Sequence, residues 1–155
     1  MPVQLELADF LESGVAMLGA SADVDNVPEV FRVWGAAYDD ASGTVRALVS
    51  SDAGRTLDGV HQGQRICFTF TDIIDFTSVQ AKGSLTGPAV PPGPDDAALA
   101  RRYTDRFRHK LAEIGHPGVL CDTMRPTAVF VLVAAIDEFF DQTPGPRAGA
   151  RVDVA

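Results

Sequence analysis

Between residues 15 and 85, apolar side chains return at every second position in one stretch after another, and that period belongs to strands. The clearest case is Gln64–Thr71, where Ile66, Phe68 and Phe70 face one way and Cys67, Thr69 and Thr71 the other. Val27–Tyr38 sets Val30, Arg32 and Trp34 on one face and Phe31, Val33 and Gly35 on the other. In Val45–Ser50, Val45, Ala47 and Val49 alternate with Arg46, Leu48 and Ser50, and in Ser78–Leu85 the residues Ser78, Gln80 and Lys82 share a side. Val15–Ala20, made of small and apolar residues, reads as a strand buried on both faces, and Thr127–Phe140 is the last long strand. The connections are mostly short. Asp39–Gly43 is a hairpin loop, so the strands on either side of it pair antiparallel. Six such strands around one core predict a mainly β fold, a small closed or nearly closed antiparallel barrel.

Two helices accompany the strands. In Glu6–Ser13, Leu7, Phe10 and Leu11 fall on one face and Gly14 ends the run. Later, Asp95 or Asp96 caps a helix that runs to about Ile114, with Leu99, Tyr103, Phe107, Leu111 and Ile114 as its apolar stripe. Arg101, Arg102, Arg106, Arg108 and Lys110 crowd this second helix, five of the thirteen basic residues, and form either a solvated face or a positive rim for an anionic ligand. Arg55–Gln62 has room for two further helical turns. Pro28, without an N–H, belongs at a strand start or edge, and Gly83 marks a bulge or a close backbone approach. Gly115–Pro126 reads as a loop with a short extended piece at Val119–Cys121, and the tail from Gln142 reads as loose.

The 155 residues suffice for one domain with a real core. A net charge of −8 argues against a general binder of nucleic acid or anionic membrane, yet leaves room for a small phosphorylated ligand held by a local cluster of cations. An oligonucleotide-binding barrel would need a basic groove with exposed aromatics, whereas the bases here collect on a helix and Phe68 and Phe70 sit on a core-like face. Apolar runs such as Val129–Ile136 are too short to span a bilayer, and Met1–Gln4 opens no signal peptide, so the cytoplasm is the expected compartment. Cys67 and Cys121 form no Cys-x-x-Cys pair and read as core thiols. His61, His109 and His116 lack metal-ligand spacing, so no structural zinc is expected. No nucleophile elbow and no Rossmann glycine fingerprint occurs. A chain without a catalytic constellation of its own either binds a molecule or borrows chemistry from a cofactor.

The stretch Val45–Thr56 suggests which. A strand ends in Ser50 and Ser51, then opens into Asp52-Ala53-Gly54, Arg55 and Thr56. Hydroxyls, free backbone N–H groups and a guanidinium suit a phosphate. A later strand carries Gln80-x-Lys82-Gly83. In this order and spacing, from the first helix through Gly83 and more loosely to the last strand, the chain resembles the pyridoxamine 5′-phosphate oxidase-like, FMN-binding split-barrel proteins.

The resemblance implies an FMN lying across the barrel in the interface of a homodimer, and an oxidoreductase exchanging hydride between flavin N5 and a small organic substrate or a nicotinamide cofactor. Ser50 and Ser51 would edge the ring or ribityl chain, Arg55 and Thr56 would hold the phosphate, and Gln80 and Lys82 would approach from the neighbouring strand. It assigns no catalytic residue. Two departures bear on the reading: Asp52 stands where a lysine would strengthen the phosphate grip, and the arginine- and tryptophan-bearing C-terminal segment of true pyridoxamine phosphate oxidases is missing. A vitamin B6 oxidase is therefore not expected. The alternatives are a split barrel that binds flavin or haem without turnover, and a reductase using the deazaflavin F420.

Overall fold

A computed structural model of the chain describes residues 6–50, 59–123 and 129–154. In chain order the elements are α1 (Leu7–Glu12), β1 (Ala16–Ala22), β2 (Pro28–Asp39), β3 (Thr44–Ser50), β4 (Arg65–Thr71), β5 (Ser78–Leu85), α2 (Pro94–Glu113), α3 (Gly118–Asp122), β6 (Val129–Asp141) and β7 (Arg151–Val152). Neighbouring strands run β3-β2-β1-β4-β5-β6-β7, and β3 also pairs with β6. Six antiparallel strands thus close into a barrel, and β7 is an addition at the end of β6. Closure depends on the length of β6: its first half, from Val129 to Ala135, pairs with β3, and its second half, from Ala134 to Asp141, pairs with β5.

Period-2 patterning sorts the side chains as the sequence predicts. Met17, Val33, Val45, Ala47, Val49, Phe68, Phe70, Ala81 and Leu132 fill the interior, where α1 adds Leu7, Phe10 and Leu11. Each large side chain removed from water there contributes about 2 kcal/mol. The expected hairpin joins β2 to β3, and Pro28 starts β2 opposite Ala22. Gly83 is a close approach: a Cβ there would sit 2.1 Å from the Ala135 carbonyl oxygen, where the β5–β6 register shifts. Gly14 has φ of +81°, and a Cβ on it would lie 2.7 Å from Arg106, so the end of α1 packs directly on α2.

The long helix lies on the outside of the barrel. Leu99 of α2 packs on Leu48 and Val131, outward residues of β3 and β6, so that patch is buried as well. The helix begins at Pro94, with Gly93 as its N-cap, earlier than a cap at Asp95 or Asp96 would place it. Pro94 suits the first helical position because its absent N–H is unpaired there anyway. Asp96 closes the end from within the first turn by accepting a hydrogen bond from the Gly93 N–H at 2.7 Å.

Three further expectations are corrected. β1 is not buried on both faces: Leu18 is 47% exposed, because α2 covers β2 and β3 and leaves the outer side of β1 open. The piece around residue 119 is the short helix α3, not an extended segment; lacking a neighbouring strand, its backbone bonds to itself, and Asp122 meets Arg108. The tail is not loose. The Gly149 N–H donates to the Asp141 carbonyl at 2.7 Å, Val152 pairs with Phe139, and Val154 packs against the core.

Candidate functional site

Two of the residues singled out by sequence stand together. Gln80 and Lys82 project from the outer face of β5, the face α2 does not cover. Gln80 lies opposite Thr69 on one side and Phe140 on the other. Lys82 lies between Cys67 and Glu138, and its ammonium sits 4.5 Å from the centre of the Phe140 ring. A cation so placed is attracted by the ring face and held in position. Burial raises the Cys67 thiol pKa, while the neighbouring Lys82 charge pulls it the other way.

The strand registers extend this pair into a row. Arg32, Leu18, Thr69, Gln80, Phe140 and Arg151 are successive cross-strand partners over β2, β1, β4, β5, β6 and β7. A second row parallel to it holds Val30, Ala20, Cys67, Lys82 and Glu138. Val30 is 71% exposed. This is a broad shelf, apolar around Leu18 and Val30, with a carboxamide and an ammonium beside it and an arginine at each end.

Ser50 lies at the Arg32 end of the first row, since it follows Val49, which pairs with Val33 of β2. It ends β3 opposite Val129 and is buried. Ser51, Arg55 and Thr56 lie outside the described residues.

The basic helix does not form a rim around this shelf. Three of its five cations are engaged elsewhere: Arg106 with Glu12, Arg108 with Asp122, and Lys110 with Asp72 at 2.6 Å. A shallow cleft of about 420 Å³ opens instead between α2 and the barrel, lined by Glu12, Arg46, Asp95, Asp96, Leu99 and Arg102 among others. Its floor is closed by the Arg46–Asp96 pair, and its charge is mixed, so it offers an anion little.

Arg32 escaped the sequence reading. It projects from the same face as Leu18, and its guanidinium lies 5.1 Å from the Trp34 ring centre and 4.9 Å from that of Phe107. Tyr103 Oη accepts a hydrogen bond from its Nη2 at 3.0 Å. The one signal was an arginine among apolar neighbours; its helix partners Tyr103 and Phe107 are 71 and 75 residues away.

No family model matches the chain, and no curated protein matches it. Among solved structures it is similar to HupZ of Group A Streptococcus, with 20% identity and a TM-score of 0.51 over 96% of this chain and all of that one. It is similar to an F420 reductase, with 16% identity and a TM-score of 0.53 over 90% of this chain and 98% of that one. The chain has the split-barrel fold. A pyridoxamine 5′-phosphate oxidase-related, FMN binding protein from Nostoc punctiforme aligns at 10% identity and a TM-score of 0.41, over 92% of this chain and 81% of its own, too loosely to bear on function. No helix among the described residues is long and apolar enough to cross a membrane.

Proposed function

We propose that the protein binds a flavin on the outer face of β1, β4 and β5, and acts there as an FMN-dependent oxidoreductase. The observation that supports this reading is the shelf itself: an exposed apolar strip at Leu18 flanked by Gln80 and Lys82. A flat ring can lie on Leu18 and Thr69, with the Gln80 carboxamide able to donate or accept at its polar edge. Lys82, fixed over Phe140, sets positive charge beside that edge, in a chain that is otherwise strongly negative. Bound flavin would supply hydride exchange at its N5, with a small organic molecule or a nicotinamide as the other party.

The same geometry favours a homodimer. Two copies packed through the open face would bury Leu18 and Val30. Ser50, with Ser51, Arg55 and Thr56 outside the described residues, would belong to the same site.

F420 is the second reading, supported by the likeness to an F420 reductase and by a shelf that would accept any flat, anionic ring. Haem has less support: β1, β4, β5 and β6 carry no histidine to ligate it.

Equilibrium dialysis against FMN and F420, followed by addition of NADPH or NADH, tests the proposal. Uptake of FMN and bleaching of its absorbance support an oxidoreductase. Uptake without bleaching by any donor makes the protein a binder, and uptake of F420 alone reassigns the coenzyme.

A further inference from the structure

Arg32 is a part-buried cation with no counter-charge among the described residues. It is half-buried against Tyr103 and Phe107 of α2. Its Nε is sealed from water and has no hydrogen-bond partner, and its Nη2 donates only to the neutral Tyr103 hydroxyl. No carboxylate among the described residues forms an ion pair with it, although Arg46, Arg65, Arg106, Arg147 and Arg151 all have one. Removing a guanidinium from water without a counter-charge is costly, and the Trp34 and Phe107 rings offset that only in part.

We propose that Arg32 is the receptor for an oxyanion, a phosphate or carboxylate group carried by a molecule lying on the open shelf. Of the three guanidinium nitrogens, Nε alone is both buried and unpartnered, so the Nη end is the part that can still meet a ligand. Nη1 keeps both its protons and Nη2 keeps one, which suits two oxygens of one planar or tetrahedral anion approached end-on. Tyr103 and the two rings hold the fork still, so little freedom is lost on binding. Leu18, directly opposite Arg32 and half exposed, gives the apolar body of such a molecule a surface to rest on. This inference does not need a flavin. It concerns the far end of the shelf from Lys82, with Leu18, Thr69 and Gln80 between.

Trp34 is the sole tryptophan, so its emission reports directly on the guanidinium beside it. The protein is titrated at constant ionic strength with inorganic phosphate and, separately, with benzoate. We expect a saturable change in emission, half-complete in the low-millimolar range, that is lost in Arg32→Gln. Tighter response to phosphate assigns a phosphorylated ligand, and tighter response to benzoate assigns a carboxylate. The Arg32 Nε–H resonance of labelled wild-type protein must move with the same half-point, a readout that holds even if the variant does not fold. Absence of saturation with both anions, or an unchanged titration in folded Arg32→Gln, overturns the proposal. A chain that takes oxyanions at Arg32 but ignores FMN and F420 removes the flavin reading and leaves this one standing.

Discussion

Arg46 and Asp96 meet in a two-pronged ion pair, Nε to Oδ1 at 2.6 Å and Nη2 to Oδ2 at 2.7 Å. The pair ties β3 to the first turn of α2, and Asp96 simultaneously caps that turn through Gly93. One carboxylate therefore starts the helix and fastens it to the barrel.

Asp96→Asn should destabilise the fold by about 2 kcal/mol, less than a fully buried pair because the Arg46 side chain is 42% exposed. Hydrogen bonds from Arg46, opposed by burial, hold the Asp96 carboxyl below its ordinary value of 3.8. A folded pKa below the unfolded one stabilises fully above the ordinary value and is lost as pH falls through the depressed one. Urea unfolding should thus show a clear gap between wild type and Asp96→Asn at pH 7, narrowing below pH 3.8. A gap that stays constant on acidification would mean that the pair adds nothing through its charge.

Gly83→Ala should cost about 3 kcal/mol or prevent folding, because its methyl would run into the Ala135 carbonyl oxygen across the β5–β6 seam. Thermal unfolding of the variant checks this. Gly59→Ala, at a site with nothing within 4 Å, is the control that should change little.

Leu18→Asp should leave the fold intact, since the side chain is already half exposed, and should convert a dimer to monomers by placing charge in the interface. Sedimentation velocity reads the outcome directly. A monomeric wild type, or a Leu18→Asp variant that stays dimeric, contradicts packing through this face.

Cys67 should alkylate more slowly than an exposed thiol at neutral pH, because burial raises its pKa and lowers the thiolate fraction. Lys82 counteracts that rise, so Lys82→Gln should slow the reaction further. Peptide-level mass spectrometry after timed alkylation measures it, and faster labelling in Lys82→Gln would contradict the assigned influence of the charge.

The barrel was legible because its strands alternate strictly. Ile66, Phe68 and Phe70 could point only inward together, and that placed Gln80 and Lys82 outward beside their partners. Leu18 was misread because a run of small apolar residues does not say which face a distant helix will cover. The start of α2 was missed because its N-cap is a glycine that has no side chain to signal it. Arg32 was invisible for a similar reason. Its meaning comes from Tyr103, 71 residues away, and from the lack of an ion-pairing carboxylate among the described residues, which no local pattern could reveal.

The central claim is that the open face of β1, β4 and β5 holds a flat anionic coenzyme with Lys82 beside it. The most direct test is a difference-absorbance titration of freshly purified wild type and Lys82→Glu with FMN. The account predicts bound flavin or saturable uptake in wild type, weakened about tenfold or more in Lys82→Glu, a loss of at least about 1.4 kcal/mol. Colourless wild-type protein that takes up no added FMN, or equal affinity in the two proteins, would contradict it.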